Sequence, residues 1–401
     1  MGTWLEIAAA KHPERVAVEY GGRALTYSQL LAGAADGAPQ SGARVALEQS
    51  DRLEFAVALH GCLLAGAAAV PIDQRLGEAE RAVRLRAADA PGAAGVATVM
   101  HTSGTTAAPK RVELTYGNWL ANALGSAVAL GLDPEERWLC AMPLAHVGGL
   151  SIVIRSAIYA TTVVLHDQFD AGAVLTELMD PARRITIVSL VPTMLARLLD
   201  AGLRRPPTLR WALLGGGPIP APLLERAAQE GVPVAPTYGM TEACSQIATF
   251  GVPLHGVEIT LSDGEILVRG AVVAPGALAE DRWLHSGDLG TFDAAGRLVI
   301  TGRTADTIVS GGENVAPAEV EAVLLEHPAV ADAGVFGRAD PEWGEAVIAA
   351  VVARDGEAVG AEELRRHCAA RLAPFKVPKA FEQRAALPRT EAGKLLRREL
   401  S

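Results

Sequence analysis

Lysine is scarce in this 401-residue chain: Lys11, Lys110, Lys376, Lys379 and Lys394 are the whole set, while arginine is common. A lysine in a chain that otherwise uses arginine marks a place where a compact point charge is wanted. No run of Lys and Arg is present that would track a phosphate backbone, and the formal net charge is −10, so nucleic acid is excluded as a partner. The four cysteines, Cys62, Cys140, Cys244 and Cys368, form no C-x-x-C pair and have no histidine cluster beside them. That excludes a disulfide framework and a zinc site, and leaves them as small buried residues of a reducing compartment. Aromatics make up only 4% of the chain, so alanine and small aliphatics must build the interior. The N-terminus lacks a basic segment followed by an apolar run. The longest apolar stretch, Phe55 to Ile72, contains His60 and two glycines and ends in Val70-Pro71. It reads as a buried helix running into a strand, without a membrane span, and the expected location is the cytoplasm.

What is present is apolar material enough for two or three compact units, at half of all residues. Helix-like and strand-like segments alternate: Leu53 to Leu64 then Ala67 to Ile72, Ile185 to Leu190 then Pro192 to Leu199, Leu209 to Leu214 then Pro220 to Gln229 and Val232 to Pro236. This rhythm predicts an α/β fold with parallel sheet layered by helices, whose ligands sit at strand carboxyl ends, in the loops after Met100, Leu214 and Thr237. From about Val252 short alternating strands take over (Val257 to Leu261, Glu265 to Arg269, Arg297 to Thr301). The expectation is a large N-terminal domain, 1–303, with a small β-rich subdomain at about 252–303, followed by a small mobile α+β domain, 304–401.

Five constellations carry chemistry. Thr102-Ser103-Gly104-Thr105-Thr106-Ala107-Ala108-Pro109-Lys110 follows an apolar strand and concentrates hydroxyls, a glycine and a lysine, a donor set suited to polyphosphate. It lacks the Walker spacing. In Tyr238-Gly239-Met240-Thr241-Glu242 the tyrosine offers a stacking face, Thr241 a donor and Glu242 a ligand for Mg²⁺. Ser286-Gly287-Asp288 places a carboxylate after a turn. Gly302-Arg303-Thr304-Ala305-Asp306 precedes Gly311-Gly312, and Pro388-Arg389-Thr390 precedes Gly393-Lys394. Each alone would pass for a surface turn or a solvated helix end.

In order and spacing the five together resemble the adenylate-forming superfamily of acyl- and aryl-CoA ligases, over nearly the whole chain. The resemblance implies ATP, Mg²⁺ and coenzyme A as the small molecules handled, with a carboxylic acid as substrate. It implies that Thr102, Ser103, Gly104, Thr105, Thr106 and Lys110 grip the β- and γ-phosphates. Gly215, Gly216, Gly217 and Tyr238 would wall the adenine, and Asp288 and Arg303 would hold the ribose. Thr241 would touch the α-phosphate, Glu242 would ligate Mg²⁺, and Lys394 would be the catalytic lysine. Gly311 and Gly312 would line the channel for the thiol, and Asp306 falls where the mobile domain opens. A carboxylate attacking a phosphate brings two anions together, and one well-placed donor offsetting this is typically worth ~3–4 kcal/mol.

The acyl side resembles the o-succinylbenzoate–CoA ligases of menaquinone biosynthesis. Pro143 to Leu150 is similar to the family's gating motif, with His146 between carboxylate and acyl pocket. Ser189, Gly239, Met240, Ser245 and Gln246 would line the pocket, with Arg155 also available to a second carboxylate. Other acyl-CoA ligases, an enzyme loading a carrier-protein thiol, and a silent nucleotide-binding scaffold stay open as alternatives, and a homodimer stays open as the assembly. An amino-acid substrate is disfavoured, since Arg183 and Arg184 precede Ser189 where an aspartate would be wanted. Three departures are visible. Ala107 stands where the family usually has glycine, Ala305 stands at the hinge, and the segment from Pro71 to His101 is short.

Overall fold

The computed structural model describes residues 3–76, 78–86, 88–90, 94–102, 110–310, 313–340, 343–354, 360–389 and 395–400. Among these residues the architecture is mixed α/β with four sheets. The largest has nine strands, and its centre is parallel: Val234–Met240, Trp211–Leu214, Ile187–Leu190, Arg137–Cys140, Thr162–Leu165 and Val16–Tyr20 lie side by side in that order. Its strands Thr162–Leu165 and Ile187–Leu190 are buried along their whole length, as parallel strands covered on both faces must be. A second sheet joins Arg44–Leu47, Ala68–Pro71 and Val96–Thr102 in parallel and closes with the antiparallel Lys110–Thr115.

The apolar stretch read as helix then strand folds that way. Asp51 caps the helix Arg52–Ala65 through the amides of Leu53 and Glu54, and Gly66 ends it at φ +70°. Two residues later the chain enters Ala68–Pro71. Among the described residues no helix is long and apolar enough to cross a membrane. All four cysteines are free and buried, and burial pushes the Cys62 thiol up to about 12.

A third, antiparallel sheet orders Val257–Ser262, Glu265–Gly270, Leu284–Phe292 and Leu298–Arg303. Its third strand contains Ser286-Gly287-Asp288, so the expected turn there is strand instead. The strand persists because Gly287, at φ +68°, bends it, while Asp288 still pairs with Arg303 across the ladder. A short 3₁₀ turn, Thr304–Asp306, leads to the fourth sheet, where Val330–Asp340 and Gly344–Ala353 form a long hairpin. Helices Pro317–Leu325 and Ala361–Ala369 pack on one face of it, and Leu387 and Leu400 on the other.

Candidate active site

The strand Trp211–Leu214 stops short while its neighbour Val234–Met240 runs on, and the site opens at that difference. Beyond Leu214 the chain turns through Gly215, Gly216 and Gly217. A Cβ on Gly215 would stand 2.8 Å from Thr237 Cγ2 and 2.9 Å from its carbonyl oxygen, so only glycine lets the turn lie against the longer strand. Gly216 has φ +79°. The expected loop after Thr237 is therefore strand as far as Met240. Its second half leaves the parallel sheet and pairs antiparallel with Ser245–Thr249. At Gly239 the partner strand comes so close that a Cβ would overlap the Ser245 carbonyl at 1.6 Å. The 3₁₀ turn Thr241–Ala243 joins the two strands, and Cys244 and Ser245 follow it at φ 55° and 92°. Two consecutive non-glycine residues with positive φ store strain at this turn.

Three sequence-predicted residues from three motifs meet here. Tyr238 donates its hydroxyl to Asp288 Oδ2 at 2.8 Å, and Arg303 Nε reaches Asp288 Oδ1 at 2.6 Å. Asp288 is buried, and Arg303 is nearly half exposed. Burial, then the Asp288 charge, raises the Tyr238 pKa, so the ring stays neutral and its hydroxyl fixed as a donor. The result is an immobilised ring beside a three-glycine turn, with a carboxylate and a guanidinium at its edge.

Thr102 and Lys110 are register partners, the last pair of a hairpin before its connecting segment. Lys110 thus sits on the returning strand, a correction to its expected place in the loop. Ser103, Gly104, Thr105 and Thr106 lie outside the described residues, as do Gly311, Gly312 and Lys394. The turn Thr241–Ala243 packs against the strand that begins at Lys110. Glu242 is half-buried on that turn, and among the described residues its carboxylate has no hydrogen-bond or ion-pair partner. No group of three or more His, Cys, Asp or Glu among the described residues is arranged to hold a metal. A single unspent carboxylate fits Mg²⁺, which keeps several waters and takes its other ligands from phosphate.

His146 caps the helix Val147–Tyr159 without a side-chain cap bond. In its first turn Gly149 lies so close to the preceding loop that a Cβ would stand 2.4 Å from the Pro143 carbonyl oxygen. The His146 Nε2 lies 3.8 Å from Asp73 Oδ2, and Asp73 is clasped by Arg75 through bonds of 2.8 and 2.7 Å. Those bonds hold the Asp73 carboxyl down at about 2, whereas the surrounding protein lowers the His146 pKa more than Asp73 raises it. The sequence did not single out Asp73 or Arg75.

The expected pocket residues Ser189 and Gln246 are both buried and already engaged. Trp138 Nε1 donates to Ser189 Oγ at 2.9 Å, and Gln246 Nε2 donates to Thr249 Oγ1 at 3.0 Å. Between them stands Arg155, 1% exposed. Its guanidinium lies over the Trp138 ring at 5.7 Å and donates to Asn122 Oδ1, while Asn122 Nδ2 donates to the Gln246 carbonyl at 2.8 Å. Its Nε has no partner, and among the described residues no carboxylate neutralises it. Burial lowers its pKa, with Tyr159 and Cys244 pulling the other way.

A family model described as AMP-binding enzyme matches residues 5–93 and 89–278. The chain belongs to the AMP-binding enzyme family. A second model, the AMP-binding enzyme C-terminal domain, matches residues 319–394 of this AMP-binding enzyme. The 2-succinylbenzoate–CoA ligase of Bacillus licheniformis is 39% identical over 475 residues, covering 99% of this chain and 98% of that one. The o-succinylbenzoate CoA synthetase of Bacillus subtilis in complex with its acyl-adenylate intermediate superposes with a TM-score of 0.91 at 36% identity, over 100% of this chain and 98% of the other. The same Bacillus subtilis enzyme with ATP and magnesium ion gives 0.89 at 36% identity, over 100% and 99%.

Proposed function

We propose that this AMP-binding enzyme is an ATP-dependent o-succinylbenzoate–CoA ligase. The observation that carries the nucleotide half is the cluster of Tyr238, Asp288 and Arg303, with Tyr238 following directly on Thr237, the residue against which the Gly215 turn packs. The observation that favours a diacid is Arg155, a buried cation with no carboxylate partner among the described residues. A benzoate whose chain ends in a second carboxylate supplies the missing charge.

In the first step a carboxylate oxygen of the acid attacks the α-phosphorus of ATP. The bond to the β-phosphate breaks, and pyrophosphate leaves with the electron pair. Lys394 and Thr241 offset the charge on the α-phosphate, and Thr102, Ser103, Gly104, Thr105, Thr106 and Lys110 hold the departing phosphates. Glu242 would hold Mg²⁺, which when bound would supply positive charge to the departing pyrophosphate. In the second step the thiolate of coenzyme A attacks the acyl carbon, having entered past Gly311 and Gly312, and AMP departs with its bonding electrons. His146 sits at the mouth of the acyl pocket formed by Gly239, Met240, Ser245 and the Ser189 and Gln246 walls. Residues 304–401 carry Lys394 in and out between the steps. The enzyme works in the cytoplasm, and the assembly we propose is a homodimer.

The test is ATP–pyrophosphate exchange with o-succinylbenzoate, benzoates, fatty acids and amino acids. Exchange with o-succinylbenzoate above all others is expected, and exchange with benzoates alone would remove the diacid assignment. In Lys394→Ala, adenylation should fall by about 10²–10³, in line with loss of one such donor. Thioester formation from supplied acyl-adenylate should survive, and equal loss of both would refute the role.

A further inference from the structure

The helix Tyr116–Leu130 carries no charged side chain in fifteen residues. One side of it is buried through Trp119, Asn122, Ala123 and Ser126. The opposite side shows Leu120, Leu124 and Val128 at intervals of four, a continuous ridge on a helix, and Leu132 continues the line just past its end. Val128 is 69% exposed and Leu124 53%. A surface helix ordinarily turns polar residues outward, and a contiguous apolar ridge marks a face that something covers.

Two further features say what covers it. Beside the N-terminal end of the helix lies an apolar groove of about 320 Å³, lined by Trp4, Leu63, Leu64, Tyr116, Gly117 and Leu120, among others. Gly117 is exposed in the helix's first turn, and a Cβ there would meet only Thr115 Oγ1, at 3.6 Å. Nothing inside the chain requires glycine, which costs about 1 kcal/mol in a helix relative to alanine. The ridge protrudes at one end of the helix, and the groove with its bare glycine receives at the other. A surface that carries both a knob and its hole, either side of Leu124, is complementary to itself under a two-fold rotation.

The geometry points to this face as the contact between two copies of the chain. The helices run antiparallel and cross at Leu124, and Val128 and Leu132 of each copy seat beside Leu120 and Gly117 of the other. This deepens the homodimer reading and is independent of the ligase one. An anionic bilayer is a poorer occupant, because the residues bordering the ridge beyond Gly131 are Asp133 and Glu135, and the chain's net charge is −10.

Sedimentation velocity on the full chain at micromolar concentration tests it. The wild type should be a dimer, and the double variant Leu124→Glu, Val128→Glu a monomer that keeps its ATP–pyrophosphate exchange within about twofold. Leu124→Cys should be cross-linked between copies by diamide, since every native cysteine is buried, and Leu132→Cys should not. A wild type that is monomeric throughout would overturn both dimer and surface. Flotation of that monomer with phosphatidylglycerol and phosphatidylcholine vesicles would give the face to a membrane. A dimer that survives the double variant, or a Leu124→Cys chain that does not cross-link, would leave the dimer standing and sink this surface.

Discussion

Arg155 and Arg397 are both withdrawn from water, and the two regions that hold them treat the charge in opposite ways. Near the C-terminus, Arg397 donates to Asp306 at 2.7 Å and to both oxygens of Glu321 at 2.8 and 2.7 Å, with its Nε on the Val335 carbonyl. It stitches the 3₁₀ turn after Arg303 to a helix and a strand. Beside the nine-stranded sheet, Arg155 has an amide oxygen, an indole face and, among the described residues, no counter-charge. A buried charge without a partner is costly. The contrast separates a cation that completes a fold from one whose charge the described residues leave unmatched, the feature on which the diacid proposal rests.

The largest effect that would break this contrast is on stability. Arg397→Ala leaves the buried Glu321 carboxylate without this guanidinium, only the Val335 amide still donating to it at 2.8 Å, and should destabilise the chain by about 3 kcal/mol, read by urea denaturation. A loss below about 1 kcal/mol would mean that the stitch is ornamental. Arg155→Met removes an unmatched charge, so stability should hold or rise. The KM for o-succinylbenzoate should climb about 30-fold, the loss of roughly 2 kcal/mol expected when a charged hydrogen bond disappears. The KM for benzoate, with no second carboxylate, should stay put. Equal losses for both acids would place Arg155 with Arg397 as a structural cation.

The pair of buried Asp73 and exposed Arg75 sharpens the lower end of the scale. The carboxyl of Asp73 is held from its ordinary 3.8 down to about 2, chiefly by the Arg75 hydrogen bonds. Its contribution is therefore present above about pH 4 and lost as pH falls toward 2. The shift corresponds to about 2 kcal/mol, and exposure of Arg75 to solvent reduces this to about 1. In Asp73→Asn the urea midpoint at pH 7 should drop accordingly, and the stability difference from wild type should vanish near pH 2. A difference that persists unchanged at low pH would count against the ion pair.

What the sequence made legible follows the same division. The α/β alternation, the glycine turn after Leu214 and the trio of Tyr238, Asp288 and Arg303 were readable because motif residues report on backbone shape and fixed spacing. The strand through Asp288 was not readable, since Ser-Gly-Asp is also a turn signature and only pairing with Arg303 holds it extended. Nor was the continuation of strand through Tyr238 to Met240, which depends on a partner strand closing on Gly239. The isolation of Arg155 was invisible for a deeper reason. It depends on Asn122, Trp138 and Gln246 arriving from three separate elements, and no local pattern encodes which charges fail to meet.

The slot beside Tyr238 exists by subtraction: one strand ends four residues before its neighbour turns away. One of its walls is main chain, the turn that begins at Gly215, so exchanging side chains can do little to reshape that side. The slot is there as fixed as the backbone that forms it.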